Sequence, residues 1–169
     1  MDAQIEEFLK AIKAFPDLQF IVTKSNADQG GARINEILDV ADSKIENLHV
    51  YTSLGIRRYL SLMKYAEFVL GNSSSGIIET PAFQVPTVNI GDRQRGRLQS
   101  KSIINCVATT EDIVAAIKRA MSAEHHKVCE KVISPYGDGH AAERIADKAL
   151  EIVMEGKVDL KKRFYDIYQ

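Results

Sequence analysis

The sequence is poor in the features that mark specialised proteins. It has two cysteines, Cys106 and Cys129, far apart in the chain. That excludes a disulfide framework and a zinc ribbon, and reads as two reduced thiols in a cytoplasmic protein. No apolar run approaches the roughly 18 residues of a membrane span. The N-terminal stretch MDAQIEEFLKAI is acidic and helical in pattern, which excludes a secretory signal. Charge of one sign is also lacking: 22 Lys and Arg balance 23 Asp and Glu, for a net charge of -1. A generally basic nucleic-acid binder and an acidic tail are both excluded. There is no internal repeat and no low-complexity linker. The four histidines are scattered, and His125-His126 lies in a polar stretch that reads as solvated, so no metal site is expected.

What remains is an ordinary globular composition over 169 residues, 45% hydrophobic and 27% charged, the size of one domain with a tail. Short apolar runs alternate with helical periodicity. Helices are expected near 3–14, 32–40, 56–65, 111–121 and 140–154. Thr110 is the expected cap of the fourth. Strands are expected at 18–22, 48–51, 68–70, 86–90 and 103–107. This alternation predicts an α/β fold, a doubly wound parallel sheet with helices on both faces. The strands are solidly apolar, as strands covered on both faces are. The chain opens with a helix, where such a domain normally opens with a strand. Either this domain starts with a helix, or a preceding strand and a preceding domain are missing.

Chemistry concentrates in one segment. Between Phe68 and Gly91 the single charged side chain is Glu79. The third strand runs into Gly71-Asn72-Ser73-Ser74-Ser75-Gly76 and then a helix, the place where parallel sheets hold ligands. Free N–H groups and hydroxyls there suit a phosphate. A Ser-rich turn alone is an ordinary helix cap. The lone carboxylate of Glu79, able to accept from ribose hydroxyls, turns the reading towards a ligand site. After the fourth strand comes Gly91-Asp92-Arg93-Gln94-Arg95-Gly96-Arg97, three arginines in five residues. Such a loop is either a solvated basic turn or an anion clamp. Neither a Walker A loop nor a GxGxxG fingerprint is present. Asn26-Ala27-Asp28-Gln29-Gly30-Gly31 has two readings: composition favours Asp28 as a helix cap, and the alternative is that Asn26 reads a base edge. Ser134-Pro135-Tyr136-Gly137-Asp138-Gly139-His140 reads as a turn and cap before the last long helix. Tyr136, Phe164, Tyr165 and Tyr168 read as packing aromatics.

The run GNSSSGIIETPAFQVPTVNIGDRQRGR, followed by SPYGDGHAAERI, resembles the hydrolysing UDP-N-acetylglucosamine 2-epimerases of sialic acid and capsule synthesis. With NADQGG early and LKKRFYDI at the end, the resemblance covers nearly the whole chain. It implies the C-terminal, nucleotide-binding half of a two-domain GT-B fold, with the domain at 1–155, a tail helix at 156–169 and the first strand missing. Carried onto this sequence, Ser73 and Ser74 would hold the diphosphate, Glu79 the ribose, and Arg93 the phosphates or ribose. Asn26 would lie by the uracil, and Leu54 would contact the base through its backbone. The implied partners are a UDP-sugar, an N-terminal domain of the same protein and a second copy in a homodimer, with no nucleic acid, membrane, cofactor or metal. The family's acidic catalytic groups come from the N-terminal domain, and a further histidine ends the first strand of the C-terminal one. This sequence has neither, so the chain is expected to bind nucleotide without catalysing. Non-hydrolysing epimerases resemble it less, since they carry Thr-Glu-Arg-Pro where this chain has Asp92 to Arg97, and a second carboxylate where it has Thr80. A GT-B glycosyltransferase half and a ligand-free, flavodoxin-like interaction domain are the competing readings.

Overall fold

The computed structural model describes residues 2–26 and 30–156. Asp28, the expected helix cap, and the tail with Phe164, Tyr165 and Tyr168 lie outside the described residues. The chain divides into two units, Met1–Pro135 and Tyr136–Gln169.

The first unit begins with α1 (Asp2–Lys13), which ends ahead of Pro16, and continues into β1 (Phe20–Thr23). Then follow α2 (Gly31–Asp42), β2 (Leu48–Tyr51), α3 (Gly55–Tyr65) and β3 (Val69–Gly71). Two single turns, α4 (Ser75–Ile78) and α5 (Thr80–Phe83), lead to β4 (Thr87–Ile90) and β5 (Ile103–Cys106), and α6 (Thr110–Ala120) and α7 (Ala123–Cys129) close the unit. The second unit holds α8 (Ala141–Glu155). No described helix is long and apolar enough to cross a membrane.

All strand pairs are parallel, and the architecture is Rossmann-like α/β. The strands form two ladders, β1-β2 and β3-β4-β5. Phe20 pairs with Leu48, Val69 with Thr87, and Thr87 with Ile103. Each ladder has its own core. Ile12, Phe20, Ala41, Ile45 and Leu48 form one, under α1 and α2. Ala11, Val88, Ile90, Ile104, Ile113, Ala116, Ile117 and Ala120 form the other, under α1 and α6. Neighbouring residues of α1 therefore serve different cores: Ala11 one and Ile12 the other, both with no exposed surface.

Local chemistry fixes the ends. The Thr109 hydroxyl accepts from the Asp112 N–H, so Thr109 and not Thr110 caps α6. Thr110 is instead tied to α1. Its N–H and hydroxyl donate to the Glu7 carboxylate at 2.9 and 2.5 Å, and Lys10 adds a third bond at 2.6 Å. These partners hold the Glu7 carboxyl at about 2, below its ordinary 4.5. Asn47 donates to the carbonyls of Phe15 and Leu18 at 2.9 and 2.7 Å, clamping the turn into β1.

Two further expectations need correction. Only β4 is buried along its whole length; β1 and β2 bury alternate residues, because one face of their ladder is open at Ile21 and Tyr51. And His125 is not solvated. It sits in α7, capped by Ser122, is 5% exposed, and donates Nε2–H to the Ser102 carbonyl at 3.2 Å.

Candidate nucleotide-binding site

The site residues expected from sequence gather at the C-terminal ends of β1 to β4, as loops between strand and helix. Asn26 follows β1 and Leu54 follows β2. Both line one hollow of about 310 Å³, together with Thr23, Lys24, Gly55, Ile56 and Tyr59. The loop that carries Asn26 is packed so closely on α2 that a Cβ at Gly31 would lie 2.0 Å from the Asn26 carbonyl oxygen. Only glycine fits there. Lys24 is drawn off by Asp39 at 2.7 Å.

The serine turn follows β3. The Ser73 hydroxyl accepts from the Ser75 N–H at 3.3 Å, and Ser74 precedes α4 with no side-chain cap bond. The helix expected here is two single turns broken at Glu79, ahead of Pro81, so a long helix dipole is not what the turn offers a ligand. It offers hydroxyls and the first amides of α4. Ser75 donates its hydroxyl to Glu79, and Tyr59 lies 2.7 Å from the same Ser75 oxygen. Since Ser75 has one proton, the direction is set: Tyr59 donates to Ser75, and Ser75 donates to Glu79. One Glu79 oxygen is thereby engaged, and the other is left to accept.

Tyr59 was not among the residues read from sequence. It connects the hollow that holds Asn26 and Leu54 to the turn that holds Ser73, Ser74 and Glu79. Its signal lay in its place, one turn into the helix that starts from the Leu54 loop.

The arginine loop divides. Gln94 is 3% exposed and donates to the Asn72 carbonyl at 2.8 Å, which ties the loop to the serine turn. Arg93, beside Gln94, is exposed. Arg95 and Arg97 line a different hollow of about 420 Å³, with Asn89, Asp92, Gln99 and Asn105. Arg93 thus adjoins the residue that ties the loop to the serine turn, while Arg95 and Arg97 line the second hollow.

Other candidates fall away from this site. Burial pushes the Cys106 thiol up to about 11 and also raises Cys129, which disfavours either as a thiolate nucleophile. In the second unit, Asp138 accepts from both Arg144 nitrogens at 2.8 and 3.0 Å and from the His140 N–H at 3.1 Å. That is the turn expected of the YGDG segment; the expected cap is not formed, since α8 starts from His140 with no side-chain cap bond. Among the described residues no three His, Cys, Asp or Glu side chains converge.

A family model described as UDP-N-acetylglucosamine 2-epimerase matches residues 2–150. A GDP/UDP-N,N'-diacetylbacillosamine 2-epimerase (hydrolyzing) from Campylobacter jejuni is 41% identical over 122 residues, 72% of this chain and 31% of that protein. Polysialic acid biosynthesis protein P7 from Escherichia coli is 33% identical over 171 residues, 97% of this chain and 42% of that protein. Among solved structures, the UDP-GlcNAc 2-epimerase of Methanocaldococcus jannaschii, in complex with UDP-GlcNAc and UDP, superposes with a TM-score of 0.70 at 16% identity. The match covers 89% of this chain and 41% of that one. The chain thus spans less than half the length of these relatives.

Proposed function

The chain belongs to the UDP-N-acetylglucosamine 2-epimerase family, and from that premise we propose that it is the nucleotide-binding half of a hydrolysing member. Such an enzyme takes UDP-N-acetylglucosamine or a related N-acetylated UDP-sugar to its free 2-epimer and UDP, for sialic acid or capsular polysaccharide synthesis. The reaction removes the C2 proton and expels UDP from C1, leaving a C1–C2 double bond. Water then adds, with hydroxyl to C1 and a proton to the opposite face of C2. A base and an acid of tuned pKa are needed for it. In this reading they come from the other half of the cleft, an N-terminal domain.

Residues of this chain hold the leaving group. Asn26 and the Leu54 backbone receive the uracil in their shared hollow. Glu79, oriented by Tyr59 through Ser75, accepts from a ribose hydroxyl with its remaining oxygen. The Ser73 hydroxyl and the Ser74 amide meet the diphosphate, and Arg93 supplies the positive charge. A hydrolysing reaction is supported by the printed activity of the Campylobacter relative at 41% identity and by Asp92 to Arg97 in the loop after β4. The nucleotide-binding domain runs through residues 1–155, and the tail through 156–169.

One observation carries the reading. Tyr59 lines the hollow that holds Asn26 and Leu54 and also bonds Ser75 of the serine turn, so it links the loops after three strands. Calorimetry with UDP tests it. Binding of UDP, weaker for UMP and weaker again for uridine, is expected. No heat at millimolar UDP would remove the reading and leave a ligand-free interaction domain. The chain alone is expected to release no UDP from UDP-N-acetylglucosamine; turnover at an enzymatic rate would place the acid and base in this chain instead.

A further inference from the structure

We infer that the hollow bordered by β4, β5 and the loop between them is a second binding site, for a small hydroxylated anion such as a sugar phosphate or a sugar acid. The inference rests on a row of amides and two unpaired arginines, and not on the nucleotide reading.

Side chains alternate along β4. Val88 and Ile90 enter the core under α6, so Thr87 and Asn89 stand on the opposite face. Thr87 is met there by the Thr80 hydroxyl at 2.7 Å. Asn89 is in register with Asn105 of β5 on one side and with Gly71 of β3 on the other. Its amide donates to Asn105 Oδ1 at 2.8 Å, and the Asn105 amide donates to Gln99 Oε1 at 2.8 Å. Gly71 has no side chain to extend the row. Asn89 Oδ1 is therefore buried with no hydrogen-bond partner among the described residues, in a residue only 2% exposed. Turning over all three amides would move the unmet atom to Nδ2 of the same residue. A hydroxyl, which both donates and accepts, answers either sense. Buried amide groups left without a partner are costly and rare, so this one calls for an explanation.

Asn89, Asn105 and Gln99 line the hollow of about 420 Å³ described above. That volume lies within the range of small-molecule sites, roughly 300–1,000 Å³. The other lining residues come from the loop. Gly91 and Gly96, with φ of 75° and 82°, bend it. The Arg95 N–H donates to the Asp92 carbonyl at 2.8 Å and the Arg97 N–H to the Gln94 carbonyl at 3.3 Å, which closes two turns. Gln94 anchors the middle of the loop on Asn72, while Asp92, Arg95 and Arg97 line the hollow. Both arginines are exposed, and neither has a side-chain hydrogen bond or ion pair among the described residues.

This lining sets the ligand. Two guanidiniums in one hollow suit a carboxylate or a phosphate, which they grip through paired N–H groups. Asp92 repels a bare multivalent anion and accepts from hydroxyls. The Asn89 end of the row and the Gln99 amide hydrogen-bond to hydroxyls as well. A molecule with one anionic group on a hydroxylated skeleton meets all of these residues. Inorganic phosphate meets only the arginines, and an uncharged sugar meets only the rest.

Two-dimensional NMR of the 169-residue chain tests this, because the side-chain amides of Asn89, Asn105 and Gln99 give their own signals. The probes are glucose 6-phosphate, gluconate, glucose and inorganic phosphate. Saturable shifts of those amides are expected with glucose 6-phosphate, with gluconate or with both, at a Kd of about 1 mM or below. The first two probes tell a phosphate ligand from a carboxylate one. Glucose and inorganic phosphate should bind at least about ten-fold more weakly. Arg95→Gln combined with Arg97→Gln should weaken the anionic sugar at least about ten-fold. Gln99→Ala, a half-buried position whose loss the fold tolerates, should weaken it about five-fold. No shift with either anionic sugar up to about 10 mM would overturn the proposal. So would equal binding of inorganic phosphate, or binding untouched by the arginine pair. Competitive displacement by UDP would also overturn it, since the anion would then sit in the nucleotide hollow.

Discussion

The two ladders differ in a way their own residues do not explain. β4 reads TVNI, with a threonine and an asparagine, and all four residues are buried. β1 reads FIVT and is the more apolar, yet it buries only Phe20 fully and leaves Ile21 42% exposed. The difference lies in the neighbours. β4 has a strand on each side, α6 on one face and α4 on the other. The Thr87 hydroxyl finds the Thr80 hydroxyl at 2.7 Å, and the Asn89 amide finds Asn105 at 2.8 Å. β1 has a strand on one side and a helical layer on one face. Burial of a strand is a property of the layers around it, and an apolar strand left half open marks a face that no described helix covers.

The largest test of this contrast pairs two isoleucines. Ile117 of α6 is fully buried against β4 and β5. Replacing it with alanine should destabilise the unit by about 2–5 kcal/mol, through lost transfer energy and the cavity left behind. Ile21→Ala, on the open side of β1, should cost about 1 kcal/mol or less, since much of that side chain is already in water. Urea unfolding measures both. Equal losses would mean that Ile21 is buried in solution and that the two ladders are not different after all.

The sequence already located the five strands and most helices to within two residues, because Pro16, Pro86 and the glycine turns punctuate a strong alternation of periods. It also singled out the loops after β3 and β4, since a stretch with one carboxylate followed by three arginines stands out in an otherwise evenly charged chain. The division into two ladders was not legible, because strand pairing is a long-range property and no local pattern shows where a sheet breaks. Tyr59 was missed because its neighbours Leu60 and Met63 follow the inward face of α3 and Tyr59 itself does not. His125 was misread because the polar context hid a short helix. Ser122 as its cap and the four-residue spacing to buried Cys129 were the available signal.

A middle-sized effect tests the link between the halves on the ligand side. Tyr59 belongs to α3, the connection from one ladder to the other, and reaches from the β1–β2 hollow to Ser75 beyond β3. Tyr59→Phe removes one hydrogen bond, worth about 1 kcal/mol net. UDP binding should weaken about five-fold while the urea midpoint moves little. Ser75→Ala breaks the same chain at its centre and should weaken binding at least as much, because Glu79 loses its donor. Unchanged UDP affinity in both variants would mean that the two halves of the site act separately.

The smallest effect concerns α1, which lies across both ladders and, among the described residues, is fastened to only one of them by side-chain bonds. Glu7 holds it there, accepting from Thr110 at the start of α6 and from Lys10. Its carboxyl titrates at about 2 in the folded chain, against an ordinary 4.5, chiefly through the Lys10 and Thr110 bonds. A depressed carboxyl stabilises the fold where it is ionised in both states, and that contribution is lost as protons bind the unfolded chain first. The Glu7 contribution should therefore be complete above about pH 4.5 and fall away as pH drops towards 2. Urea midpoints of the parent and Glu7→Gln should differ at pH 6 and converge near pH 2. A constant difference across that range would show that Glu7 positions α1 through packing of its chain alone. In that case the fastening of α1 to the β3–β5 ladder would owe nothing to charge, and acid would loosen both halves alike.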